Sequence, residues 1–263
     1  MTTATAAPRG GPRLRGPVWT VLRVHRSALL VWAAFILLMV GWTLWLQFST
    51  EAAVRAEKAS CGPPGCKDFE AMFAYSQGMD MVGTLIAYSS WSVAAWAGAA
   101  LTGRELEQGT ARLAWTQSVT PVRWLTTKLA VPAVVLIVGT TALSLLYRWA
   151  WGRNRDLMGD DWHVTEPFLN RGPAVVAYAL CGLAVGALAG LALRRALPAL
   201  CVAAGFMAWF HAYLTSHTSG TMANEEHSAS GYWPLHLMVT GIVLTVAALA
   251  TAAAFWTLRR RIR

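Results

Sequence analysis

Gly103-Arg-Glu-Leu-Glu-Gln-Gly-Thr110 continues through Arg112, Leu113, Trp115, Thr116, Gln117 and Ser118 to Thr120-Pro121, Arg123, Trp124 and Lys128. This polar passage lies between two long uncharged stretches, Met81–Leu101 and Leu129–Tyr147. The rest of the 263-residue chain explains why it matters. Hydrophobic residues make up 56% of it and charged residues only 13%, against about 25% charged in a soluble domain. That leaves too little polar surface to cover a water-soluble globule, so a polar passage of this length marks a place where the chain leaves the membrane.

Six uncharged stretches are long enough to cross a bilayer, which takes about 20 helical residues at ~1.5 Å each. They are Ser27–Phe48, Met81–Leu101, Leu129–Tyr147, Gly172–Leu193, Ala196–Leu214 and Leu235–Leu258. Buried core helices would need amphipathic elements to cover them, and six such stretches leave none. The first is longer than a signal-peptide core and more spans follow it. The expected fold is an all-α membrane protein with six transmembrane helices and both termini cytoplasmic.

The orientation follows from the basic residues. With the N-terminus inside, the cytoplasmic side carries fifteen of the 22 Lys and Arg and two of the 13 acids, Glu105 and Glu107. The reverse orientation would violate the positive-inside bias. The net charge of +9 is thereby topological, with membrane lipids as the polar partner and no nucleic acid expected. Localisation in the cell (plasma) membrane follows.

Residues 1–14 are Ala, Thr, Pro, Gly and Arg with no core to bury, and read as a disordered cytoplasmic tail. From residue 15 to 263 the chain reads as one six-span domain. Val18, Trp19 and Leu22 opposite Arg23, His25 and Arg26 suggest a short N-terminal interfacial helix. A cytoplasmic extension of the first span is the plain alternative. The first outer loop, Ser49–Asp80, holds Cys61-Gly-Pro-Pro-Gly-Cys66, two thiols close along the chain on the oxidising side, where a disulfide is plausible. No His stands near them to make a zinc site. Cys181 and Cys201, inside spans, read as small apolar packers.

In the polar passage itself, the second helix is expected to run on through Leu106 and to break at Gly109. Thr110 can start a short new helix through Trp115, and Thr120-Pro121 is a cap followed by proline at the first helical position. The second outer loop, Arg148–Arg171, has Trp149, Trp151 and Trp162 as interface aromatics. Its Asp160, Asp161, His163 and Glu166 lack a metal-site spacing and read as solvated charges. Gly182, Gly186 and Gly190 lie on one face of the fourth span and invite close approach by another helix, in this chain or a second subunit. Arg194-Arg195 and Pro198 make a tight turn into the fifth span. His211, near the outer end of that span, is an intramembrane ionisable group and so a functional suspect; a neutral, hydrogen-bonded interface histidine is the plainer account.

The chemistry of an energy source is absent. There is no GxxxxGK[ST] phosphate loop, no HExxH, no GxSxG and no charged residue at the middle of a span. Ion-driven carriers usually place such charges there. Glu105-Leu-Glu-Gln-Gly-Thr110 with Leu113-Ala-Trp-Thr-Gln-Ser118, Trp124 and Lys128 resembles the cytoplasmic loop of ABC-2-type permeases of high-GC Gram-positive (actinobacterial) bacteria. Tyr178 to Pro198 is similar to the fourth-to-fifth span region of the same proteins, and the six-span layout agrees over essentially the whole chain.

The resemblance implies the permease subunit of an ATP-binding-cassette exporter, not itself an enzyme. It implies a second permease copy, identical or similar, and two copies of an ABC ATPase subunit. This chain would bind no cofactor, with ATP and Mg held by the partner. The loop 103–128 would couple to that ATPase, with Glu105, Glu107, Gln108, Gly109, Thr110 and Arg112 as the coupling residues. Two acids on a basic face would make a distinct electrostatic target; pairing with Arg104 and Arg112 on a solvated helix is the alternative. A substrate path for amphipathic or hydrophobic molecules is placed between the second and fifth spans of two copies, lined by Tyr88, Ser89, Ser90, Trp91, Trp96, Trp209, Phe210 and Tyr213. The competing function is an ion-coupled carrier or channel working without an ATPase.

Overall fold

A computed structural model describes residues 26–61, 70–116, 120–153, 165–224 and 232–262. Every regular element among them is helical: α1 (Arg26–Ser49), α2 (Glu51–Ala59), α3 (Glu70–Glu107), α4 (Thr110–Thr116), α5 (Pro121–Arg153), α6 (Thr165–Asn170), α7 (Ala174–Leu193), α8 (Ala196–Asn224) and α9 (Tyr232–Ile262). The expected tail at residues 1–14 and nearly all of the interfacial helix lie outside the described residues.

Five helical stretches are long and apolar enough to cross a membrane: Arg26–Ala59, Pro121–Arg153, Ala174–Leu193, Ala196–Thr218 and Tyr232–Arg261. The expectation is six. The helix that holds Met81–Leu101, α3, is not among the five, although its 38 residues would extend about 57 Å. Its sequence is rich in Gly, Ala and Ser rather than large aliphatic residues. The position of α3 explains that composition. It packs most extensively against α7 and also against α8, α5 and α1, so much of its surface meets protein rather than lipid.

The α3–α7 seam is where the Gly182, Gly186 and Gly190 stripe finds its partner, within the same chain. A Cβ on Gly186 would lie 2.3 Å from the Ala95 carbonyl oxygen, and one on Gly182 2.6 Å from that of Trp91. The approach is reciprocal: a Cβ on Gly98 would lie 2.2 Å from the Leu183 carbonyl oxygen. In lipid the hydrophobic effect does not pull helices together, so close packing of small residues must do so. Thr102 adds a polar tie, its hydroxyl donating to the Ala187 carbonyl at 3.2 Å.

The described residues of the segments read as outer loops are largely helical. Within Ser49–Asp80, α2 follows α1 after the single residue Thr50, and Glu57 accepts hydrogen bonds from the Ala71 and Met72 amides (3.3 and 2.8 Å), capping the start of α3. Capping by a carboxylate from another helix satisfies the orphan amides that a helix start always leaves. Within Arg148–Arg171, α5 runs on to Arg153 and α6 forms a short helix. Asn170 at its end donates to the Gly83 carbonyl at 2.7 Å, while its own carbonyl accepts from Ser144 at 2.7 Å. The Arg171 guanidinium lies 3.6 Å from the centre of the Trp151 ring. Within Thr215–Pro234, α8 extends to Asn224 and α9 begins at Tyr232. The Asp160, Asp161 and His163 positions lie outside the described residues, as does the Glu166 side chain. Among the described residues no metal-binding cluster occurs.

One further residue sits differently from expectation. Cys201 is exposed on the outer face of α8, whereas Cys181 is buried. His236, one turn into α9, is fully buried against Phe168 and Tyr232, and its Nε2 accepts the Ala174 amide at 3.1 Å at the start of α7. His236→Phe keeps the ring and removes the acceptor, so a loss of about 1 kcal/mol is expected, read as a lower thermal midpoint of the detergent-solubilised protein.

Candidate functional site: the elbow between α3 and α5

One end of the bundle gathers Arg104, Arg123, Lys128, Arg194, Arg195, Arg259, Arg260 and Arg261; it is called here the basic end. The polar passage lies there and folds as its local chemistry directs. Helix α3 stops at Glu107, and Gly109 takes φ 73°, a left-handed backbone that costs other residues about 1 kcal/mol or more. Gly109→Val, which meets open space, is expected to destabilise by about that amount, checked by thermal unfolding. Helix α4 starts at Thr110, whose hydroxyl donates to the Glu105 carbonyl at 3.3 Å. Helix α5 starts at Pro121, with Thr120 Oγ1 accepting the Arg123 amide at 3.3 Å as an N-cap.

The elbow is packed onto the bundle. Ala111 and Trp115 of α4 join Trp124 and Leu125 of α5, Leu191 of α7, and Ala254 and Leu258 of α9 in one apolar cluster. Trp115 meets Trp124 edge to face, with ring centres 5.7 Å apart, a favoured aromatic geometry.

The predicted coupling residues divide into two groups. Glu105 turns inward: Oε2 accepts the Trp124 indole N–H at 2.8 Å, and Oε1 pairs with the Lys128 ammonium. This is the one ion pair at the basic end among the described residues, and it ties the last turn of α3 to the first turns of α5. Glu107 reaches across to the α7–α8 turn, where Oε2 accepts the Ala196 amide at 3.2 Å. That turn is tight because Arg194 adopts a left-handed conformation, φ 56°. Gln108, Gly109 and Thr110 are exposed at the tip. Arg112 lies within α4, and its side chain is outside the described set. Leu113, not among the predicted contact residues, points outward at 59% exposure. Its position on α4 opposite buried Ala111 follows from helical spacing, so its exposure could have been read from the sequence.

The predicted path residues divide as well. Tyr88, Trp96, Trp209 and Tyr213 are exposed on the outer face of α3 and α8, and Ser89 is half-buried beside them. Trp209 stacks on Tyr213 with ring centres 5.6 Å apart. Trp91 and Phe210 instead belong to the buried core, and Ser90 is buried with its hydroxyl turned to the Ile86 carbonyl. His211 is buried between the edges of Tyr88 and Tyr178, at 5.2 and 5.5 Å. Cys61 is in a disulfide; Cys66, its expected partner, lies outside the described residues.

A family model described as ABC-2 membrane transporter related matches residues 28–218. The match runs from α1 into α8 and includes the whole elbow. No curated protein and no solved structure matches the chain. Members of the ABC-2 family are membrane components that generally pair with a separate ABC ATPase subunit. The chain belongs to the ABC-2 membrane transporter related family and is a multi-pass membrane protein of the permease type.

Proposed function

We propose that the chain is the transmembrane subunit of an ATP-driven exporter in the plasma membrane, with α3 as its sixth span and the basic end in the cytoplasm. The resemblance of the elbow motif to actinobacterial permeases supports this reading, as does the charge asymmetry. The observation that carries it is the latch of Glu105 onto Trp124 and Lys128. A push on α4 from an ATPase would pass through that latch into both α3 and α5, tilting two bundle helices together. ATP binding to the partner would then favour one of two bundle states by its differential affinity for them.

In this reading the contact surface is the tip, with Glu107, Gln108, Gly109, Thr110, Arg112 and the exposed Leu113. Glu105 transmits the movement from inside the elbow. ATP and Mg sit on two ATPase copies and a second permease completes the assembly. The aromatic outer face of α3 and α8 (Tyr88, Trp96, Trp209, Tyr213) would then meet that second permease and border a path for amphipathic or hydrophobic molecules.

Leu113→Asp tests the contact. A buried apolar anchor replaced by a charge loses about 2 kcal/mol or more of binding, so the ATPase subunit should no longer co-purify with an otherwise monodisperse permease. Undiminished co-purification of Leu113→Asp together with Gln108→Lys would remove the docking assignment. Substrate movement by the purified chain alone in liposomes, driven by a pH gradient, would replace the whole reading with an ion-coupled carrier.

A further inference from the structure

One strip of α3 borders two cavities. Trp96, Ala100 and Arg104, each one turn from the next, line both. On one side is a groove of about 120 Å³ between α1, α3 and α5, with Leu29, Trp32, Val93, Val131 and Pro132 in its almost wholly apolar wall. On the other is a cleft of about 950 Å³ between the end of α3 and the α7–α8 turn, where Arg194 and Arg195 join Arg104. The only acid in the cleft lining is Glu107, which already accepts the Ala196 amide. Among the described residues none of the three arginines forms an ion pair. A fourth guanidinium, that of Arg261, stands close by and donates to the Leu191 and Ala192 carbonyls at 2.5 and 3.0 Å. The cleft is therefore cationic, and it shares Trp96, Ala100 and Arg104 with an apolar groove among membrane helices.

We propose that groove and cleft together bind one anionic phospholipid from the leaflet that the basic end faces. An acyl chain lies in the α1–α3–α5 groove past Trp96 and Ala100. The phosphate sits among Arg104, Arg194 and Arg195, where guanidinium groups can make charge-assisted hydrogen bonds to its oxygens. Basic residues near any bilayer attract anionic lipid diffusely. What makes this a site is the sharing of three residues between an apolar groove and a charged cleft. The inference concerns this chain and its bilayer and does not depend on an ATPase partner.

The test is native mass spectrometry of the delipidated full chain titrated with phosphatidylglycerol or phosphatidylcholine. One phosphatidylglycerol per chain is expected to be retained in preference to phosphatidylcholine. R104Q and R194Q, at exposed positions, are each expected to lower its occupancy constant about fivefold, the weight of one basic residue near an anionic surface. Ala100→Trp, which fills the groove without changing charge, is expected to lower it as well; Val131→Phe reads the same groove if Ala100→Trp folds poorly. R259Q/R260Q removes two charges at the same end that do not line the cleft, and is expected to leave binding unchanged. Equal losses in R259Q/R260Q and R104Q/R194Q would mean diffuse attraction and overturn the proposal. So would indifference to the groove-filling variants, or displacement of the lipid by equimolar inorganic phosphate.

Discussion

Gly186→Leu is expected to abolish the folded protein. The atom that a side chain at this position would meet is the Ala95 carbonyl oxygen, 2.3 Å from the first carbon. That neighbour is helix backbone and cannot turn aside as a flexible side chain would. The seam has the same character along its length, at Gly182 against the Trp91 carbonyl, at Gly98 against the Leu183 carbonyl, and at Gly190 against the Gly103 amide nitrogen. Relief would require α3 and α7 to separate, and every other close contact of the seam would loosen with them. Overpacking a tight interior typically costs 1–3 kcal/mol where side chains can adjust; with backbone on the far side, about 3 kcal/mol or more is expected. Gly205→Leu supplies the control, because a side chain there meets nothing within 4 Å. Fluorescence-detected size-exclusion after a heat step reads both. Equal survival of the two variants would mean that the seam is not what holds the bundle.

The second large effect is expected at Glu105, and its signature separates transmission from docking. Removing the carboxylate in Glu105→Ala leaves the Trp124 indole N–H and the buried Lys128 ammonium without their acceptor. Breaking a fully buried pair costs about 3–5 kcal/mol, and an exposed one well under 1. The Glu105 side chain is 29% exposed, so solvent screens the pair and about 2 kcal/mol is expected. Glu105→Ala with Lys128→Met removes the stranded charge and should recover part of the loss, as a double-mutant cycle would measure. If the proposed coupling holds, Glu105→Ala keeps its ATPase partner, because the docking tip is intact, but hydrolyses ATP without moving substrate. Leu113→Asp does the opposite and loses the partner. Transport at the wild-type rate in Glu105→Ala would show that the latch carries no movement.

The elbow illustrates which features a chain of this kind writes locally. Gly109 ends one helix because glycine takes the left-handed backbone there without steric cost. Thr120 and Pro121 start the next because a hydroxyl caps an amide and proline needs none. Arg194, Arg195 and Pro198 turn α7 into α8 by similar means. Such features depend on atoms within a turn or two of each other, so residue order alone determined them, together with the helical class and the membrane habitat. Tertiary structure decided what lies far apart in the chain. It chose α3 rather than a second subunit as the partner of the Gly182–Gly190 stripe, and so let α3 be polar enough to fall short of a free-standing span. It turned Glu105 inward, because Trp124 and Lys128 reach it only once α3 and α5 pack side by side. It buried Trp91 and Phe210 while leaving Tyr88 and Trp209 outside, and it brought the ends of α3 and α7 together so that Arg104 and Arg194 share one cleft. These outcomes rest on contacts between residues many turns apart, whose distances no local pattern encodes.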